Sequence, residues 1–388
     1  MRTVPLQHIC DIQIGKTPSR LVPEYWGGEL PWVTISDFAS GRTIDTTKER
    51  ITEIGAEKSG SKLIPQGTVL LSFKLSLGKR AYAGYDLFTN EAIAALQVLD
   101  QEVADRGYLY WVLGSIDYDR LVDRAAKGKT LNKAKLKILP IPLPPLPEQK
   151  RIAGILDAAD ALRAKRRESL TQLDTLLKST FLDMFGDPVT NPRGWDVRAL
   201  GDVCLGKPAY GSGAAACDFD PTLPRYVRIT DVNDSGGLSS DPKSAKLSAK
   251  EIEKYRLHEG DVLLARSGAT VGKSYLHHVC NAFCVYAGYM IRFRPDPEKL
   301  LPETLFHYTK TPAYWRWINS QARAVAQPNI NATMYSGMPL IVAPLDLQRR
   351  FADIVESVER QKARLRAHLA ELDKLFSSLQ SRAFNGEL

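Results

Sequence analysis

The eight residues Ser267-Gly268-Ala269-Thr270-Val271-Gly272-Lys273-Ser274 come nearest to a phosphate cradle in this chain. A P-loop needs four residues between its glycines and a helix after its Lys-Ser, whereas Gly268 and Gly272 enclose three and no amphipathic pattern follows Ser274. A glycine-rich turn after the strand-like 261–265, offering Arg266 and Lys273 to an external phosphate, fits better; a plain tight hairpin is the simplest alternative. His277, His278, Cys280 and Cys284 could be read as a metal cluster. Structural zinc sites, however, draw close Cys pairs from two separate segments, and no second pair exists in the chain. A buried cysteine pair with satisfied histidines is favoured. No Ser/His/Asp order, paired carboxylates or GxGxxG stands out, nor any motif for S-adenosylmethionine or ATP. The sequence reads as a non-enzyme.

Side chains suited to recognition are better represented. Arg323, Gln327, Asn329 and Asn331 follow the aromatic run Tyr314-Trp315-Arg316-Trp317, and Lys127, Lys129, Thr130 and Asn132 occupy the corresponding place in the first half. Lys and Arg position phosphates, while Asn, Gln and Arg read base edges. With Lys74, Lys79, Arg228, Arg266 and Lys273 from glycine-rich or strand-end positions, these residues are the candidate DNA contacts. Aromatics at helical spacing are more often core, which keeps the plain structural reading open for each.

Two long amphipathic stretches must position these groups. In Glu148–Phe185 the apolar seam runs through Ile152, Ile155, Leu162, Leu173 and Leu176; in the last stretch, from Asp346, it runs through Phe351, Ile354, Val358, Leu365, Leu372, Leu375 and Leu379. Pro147 and Glu148 suit a helix start, and Gly186 with Pro188 suits its stop. Before the first helix, residues 139–147 carry five prolines and cannot be helical.

The halves repeat. Tyr226-Val227-Arg228-Ile229-Thr230-Asp231 follows Trp32-Val33-Thr34-Ile35-Ser36-Asp37 at an offset of 194, Gly260–Leu264 follows Gly67–Leu71 at 193, and Gly272-Lys273 follows Gly78-Lys79 at 194. At the hinge, Asn132, Pro140, Pro145, Gln149 and Arg151 match Asn331, Pro339, Pro344, Gln348 and Arg350 at 199. These matches predict a duplicated domain-plus-helix unit: a domain over 1–147, a spacer helix over 148–185, a second domain over 186–345 and a second spacer helix over 346–388. The expected fold is α+β, with two similar mixed α/β domains separated by two long antiparallel helices in an intramolecular coiled coil, a pseudo-twofold dumbbell. A 38-residue helix is about 57 Å long. Seams of this kind also serve dimers, so pairing between chains is the competing arrangement.

Composition agrees with a soluble multidomain protein: 388 residues, 44% hydrophobic and 25% charged. There is no apolar run of bilayer length and no apolar core after Met1-Arg2-Thr3-Val4-Pro5, so a cytoplasmic protein without a membrane partner is expected. Five scattered cysteines argue against a disulfide scaffold. Of the net charge of +8, the segments 1–147 and 186–345 carry +3 each and the helices +1 each. Both domains therefore suit a polyanion.

The run Leu143-Pro144-Pro145-Leu146-Pro147-Glu148-Gln149-Lys150-Arg151-Ile152 opening a long helix resembles the specificity subunit of type I restriction-modification systems. Met184-Phe185-Gly186-Asp187-Pro188, the segment Gly260–Gly268 and the ending Arg382-Ala383-Phe384-Asn385-Gly386-Glu387-Leu388 resemble it too. The resemblance covers essentially the whole chain. It implies two target-recognition domains, each reading half of a bipartite double-stranded DNA site, with the helices setting the gap. It further implies two methyltransferase subunits and two restriction (motor) subunits as partners, to which S-adenosylmethionine, ATP and Mg2+ would belong, and no cofactor on this chain. One departure is that Ser72-Phe73-Lys74 stands where the second half has Ala265-Arg266-Ser267, so Arg266 has no counterpart. Alternatives are a specificity subunit serving a methyltransferase alone, a nucleotide-binding enzyme and a coiled-coil adaptor.

Overall fold

The structure, a computed structural model, describes residues 2–121, 131–278, 283–322 and 329–388. It divides into two compact units, one of residues 1–165 with 368–388, the other of residues 166–367. The division runs through the middle of both long helices, Leu146–Phe185 and Leu345–Asn385, rather than at their starts. Each unit thus holds the front half of one helix and the back half of the other. Among the described residues, no helix is long and apolar enough to cross a membrane.

In the first unit a five-stranded sheet runs in the order Cys10–Ile14, Ile93–Val98, Val69–Ser72, Arg80–Ala83, Thr43–Ile44. Its pairs are antiparallel except the last. Glu49–Ile51, Trp26–Val33 and Phe88–Thr89 form a second sheet. Arg106–Leu113 is helical and stops at Gly114, and Asp117 then caps a separate turn at Tyr118–Arg120.

The second unit has two four-stranded sheets. One orders Ala209–Tyr210, Met290–Phe293, Val262–Ala265 and Ser274–Leu276; the other orders Ala216–Asp218, Lys243–Ala245, Arg225–Val227 and Cys284–Tyr286. Ser267–Lys273 therefore joins two antiparallel strands, and the position after Ser274 that a P-loop gives to a helix belongs to a strand. The His277 ring meets the Tyr275 hydroxyl and His278 meets Glu259; Cys280 lies outside the described residues.

The proline-rich hinges are strands, satisfied by the start of their own domains. Thr3–Pro5 pairs with Pro140–Pro142 and Asp196–Ala199 with Pro339–Val342. The next residue on repeats the contact, Leu6 N–H donating to Leu139 O at 2.9 Å and Leu200 N–H to Met338 O at 2.9 Å. Gln149 and Gln348 then lock each helix start. Both are fully buried. The Gln149 amide accepts from Asp105 N–H and donates to Val103 O and Pro144 O; the Gln348 amide accepts from Leu301 N–H and donates to Lys299 O and Ala343 O.

Within each unit the helix halves pack antiparallel. In the first, Ile152, Leu156 and Ala159 share a core with Phe376 and Ala383; in the second, Leu177, Phe181 and Phe185 share one with Phe351, Val355 and Val358. The seam differs in detail from the sequence reading. Ile152, Phe351, Val358 and Leu365 are buried, and Ile155, Leu173, Leu372 and Leu379 half-buried, but Leu162, Leu176, Ile354 and Leu375 are 37–51% exposed. The packed positions are Leu156, Leu177, Val355 and Phe376 instead. A second apolar residue one place from the true position creates two tracks of equal period, and only packing chooses between them. Phe185 closes the first helix, with Gly186 left-handed at φ +80° as its cap.

Candidate nucleic-acid interface

The strand hairpins and the segments before the hinges converge. In the first unit Leu131 N–H donates to Phe73 O at 2.9 Å; in the second Ile330 N–H donates to Arg266 O at 2.8 Å, and Ser267 pairs with Asn329. Each hairpin loop is thereby stitched to the start of a short helix, Lys133–Lys137 or Ala332–Ser336. The two backbones meet at related positions, with Phe73 standing where Arg266 does.

The second unit carries more chemistry there. The Arg266 guanidinium lies over the Tyr210 ring, 4.8 Å from its centroid, and its Nε donates to Asn329 Oδ1 at 3.4 Å. Tyr289, whose carbonyl accepts from Arg266 N–H, is exposed, as is Tyr210. An arginine stacked on one ring beside open aromatic faces is suited to a phosphate at its fork and a base on a ring. In the first unit Lys74 stands over Phe73, and the neighbouring Leu75 is exposed with φ +64°, a strained conformation for leucine.

The remaining candidates fall in several places. Asn132 and Asn331 cap the two short helices, accepting from Lys135 N–H and Met334 N–H, so their side-chain oxygens already have backbone partners. Arg228 is held by two hydrogen bonds to the buried Asp231, and Lys273 forms an ion pair with Asp234 at 2.8 Å. Lys79 is exposed at the far end of its hairpin loop. Lys127, Lys129, Thr130, Arg323 and Gln327 lie outside the described residues, on the segments that lead into Leu131 and Asn329. The structure thus brings together Arg266, Asn329 and Asn331 in one unit, and Lys74 with Asn132 in the other, leaving Arg228 and Lys273 engaged elsewhere.

The sequence reading missed an arginine-aromatic stack in the first unit. Arg42 lies over Tyr110 and Trp111, 4.7 and 4.9 Å from their centroids, and pairs with Asp157 at 2.6 Å; Arg80 covers the same rings at 4.7 and 5.4 Å. The Nε atoms of both are buried and have no hydrogen-bond acceptor among the described residues. Burial holds the Arg80 pKa below its usual value. At the 194 offset these positions are Gly236 and Ser274, so a search guided by the repeat passes over them. In the second unit burial lowers the Lys310 pKa to about 8, helped by Lys178 nearby.

Comparison with known proteins accounts for the duplication. Residues 1–172 and 192–373 each match the type I restriction modification DNA specificity domain. The type I restriction enzyme MjaIX specificity subunit of Methanocaldococcus jannaschii is 24% identical over 405 residues, covering 99% of this chain and 92% of its own. The solved type I restriction-modification S subunit of M. genitalium shares the fold, with a TM-score of 0.59 at 14% identity over 99% of this chain and 96% of that one. A chain from structural work on complex assembly and conformational transition of the type I R-M system gives 0.55 at 19% identity, over 100% and 98%. With two matches that together span most of its length, the chain belongs to the type I restriction-modification DNA specificity family.

Proposed function

We propose that this chain is the non-catalytic DNA-recognition and scaffold subunit of a cytoplasmic type I restriction-modification complex, each domain reading one half of a bipartite duplex site and the paired helices setting the gap. The observation that carries this is the duplication of the hairpin-to-hinge junction, with polar or stacked basic side chains at both copies. Two weak readers joined by a stiff spacer gain from each other only at the matching separation, so gap length becomes part of specificity. Bidentate base contacts contribute about 1–3 kcal/mol each, so a few per half-site give useful discrimination. Two methyltransferase subunits and two restriction subunits complete the assembly; S-adenosylmethionine, ATP and Mg2+ act there, and the methyltransferase flips the target adenine out of the duplex.

The test is a domain exchange. Replacing residues 1–145 with the corresponding domain of a relative, then sequencing methylated bases in cells carrying the complex, is expected to change one half-site and leave the other half and the gap untouched. A change in both halves refutes the modular reading.

A further inference from the structure

The helix pair carries charge inside its seam. In the helix Leu345–Asn385 the packed positions Phe351, Val355, Val358, Leu365 and Phe376 fall on one heptad track, and Lys362 occupies a place on it, only 5% exposed. Its ammonium meets Asp174 Oδ1 of the other helix at 2.6 Å and Glu359 on its own. In the first unit Arg163 Nε donates to Asp373 Oδ1 at 2.6 Å and its Nη1 to Asp160 Oδ1 at 2.9 Å, with the guanidinium 4.3 Å from the Phe376 centroid.

The two clusters are copies. Asp160, Arg163 and Asp174 become Glu359, Lys362 and Asp373 on adding 199, the offset found at the hinges. Across an antiparallel helix pair the numbers of facing residues have a constant sum, and Arg163 with Asp373 gives the same sum as Asp174 with Lys362. Two separate contacts in two separate units therefore specify one register.

We propose that these repeat-related clamps are positioning residues that hold the two helices in a single register and so restrict the complex to one gap length; this rests on the function proposed above. Apolar seams tolerate slippage by a turn, because leucine replaces leucine. A cation in the seam does not, since a slip removes its cross-helix carboxylate and leaves the desolvated charge with only the carboxylate three residues earlier on its own helix. A slip of four residues faces Lys362 with Leu170 or Lys178, and Arg163 with Leu369 or Ser377; slips of three or seven supply no carboxylate either. One such slip is a shift of about 6 Å, nearly two base-pair steps of about 3.4 Å. The clamps contribute little attraction of their own, and their effect is to exclude the alternatives.

The experiment uses the full chain assembled with its methyltransferase partner. Arg163→Met with Lys362→Met keeps the helices and side-chain volume while removing both clamps. Methylated-base sequencing is expected to show both half-sites intact but the ratio of off-gap to on-gap modification raised about tenfold or more. Spin labels at Glu168 and Ala367, read by electron-electron distances without DNA, are expected to change from one distance to several. Exchanging the charges, Lys362→Asp with Asp174→Lys, restores the pair and is expected to return both readouts to the single-register values, and it also serves as the folded variant should the double Met chain not fold. A single gap and a single label distance in the double Met chain overturn the proposal, as does an exchanged chain with mixed gaps. A wild-type chain that yields no bipartite site overturns the underlying function instead.

Discussion

Replacing Gln348 with Met tests how the helix starts are held. The amide is fully buried and makes three hydrogen bonds: Leu301 N–H to its Oε1 at 2.8 Å, and its Nε2 to Lys299 O at 3.0 Å and Ala343 O at 2.7 Å. Met fills nearly the same volume, so the cavity contribution is small and the loss comes from stranded backbone groups. Each buried group left unpaired costs about 1–3 kcal/mol. Counting the N–H and one carbonyl at about 2 kcal/mol each gives about 4 kcal/mol, a large share of the 5–15 kcal/mol that typically separates folded from unfolded domains. Urea unfolding of the full chain, followed by tryptophan fluorescence and circular dichroism, should show that decrease. The internal control is unusual. Gln149 makes the same three bonds to Asp105, Val103 and Pro144, so Gln149→Met must cost the first unit what Gln348→Met costs the second. A loss under about 1 kcal/mol in either, or a large loss in one alone, refutes the reasoning.

Asn331→Ala removes a helix cap and is expected to cost about 1 kcal/mol of stability, measured by thermal melting. Arg266→Ala, by contrast, should leave melting within about 0.5 kcal/mol while weakening DNA binding in gel shifts and lowering the salt slope by about one. His307 supplies a pH dependence. Burial pushes its pKa down to about 3, with Lys310 adding to the effect, so the ring is neutral when folded and takes a proton near pH 6.5 when unfolded. Its contribution is therefore complete above pH 6.5 and is lost as pH falls from there towards 3. Between pH 7.5 and 5.5 the wild type should lose about 1.4 kcal/mol more than His307→Phe in urea titrations.

The repeat carried the legible part of this chain. Offsets near 194 within the domains and 199 at the hinges placed related segments of the two domains, the hinges and both helices, because turn residues, alternation and capping are local signals. The prolines at 140, 142 and 339 excluded helix but hid the strands they form, since pairing depended on Thr3–Pro5 and Asp196–Ala199, far away in sequence. Asn132 and Asn331 look like base readers and are also good caps; only the bonds to Lys135 and Met334 decide what their oxygens do first. The Arg42–Arg80 stack was illegible because its members come from a turn, a strand and a helix far apart in sequence, and its arginines have no repeat partner. Lys362 was passed over because a lysine within a charged helix reads as surface.

A lysine buried in the seam alters what the helices can be said to measure. A spacer of given length fixes a distance only if its two halves cannot slide, and the apolar residues alone do not forbid sliding by whole turns. The offset itself points to the same constraint. It drifts from 193 to 199 through the domains, where loops absorb insertions, yet it stays at 199 from Gln149 and Gln348 through Arg163 and Lys362 to Asp174 and Asp373. A one-residue insertion inside a helix turns every later side chain by about 100°, which would take the cation out of the seam in one copy. Two copies that must meet antiparallel, each supplying the acid to the other's base, permit no such insertion in either. Under the proposed function, helix length and seam charge are therefore one specification: the length limits which separations of two half-sites the chain could read, and the clamps select one register among them.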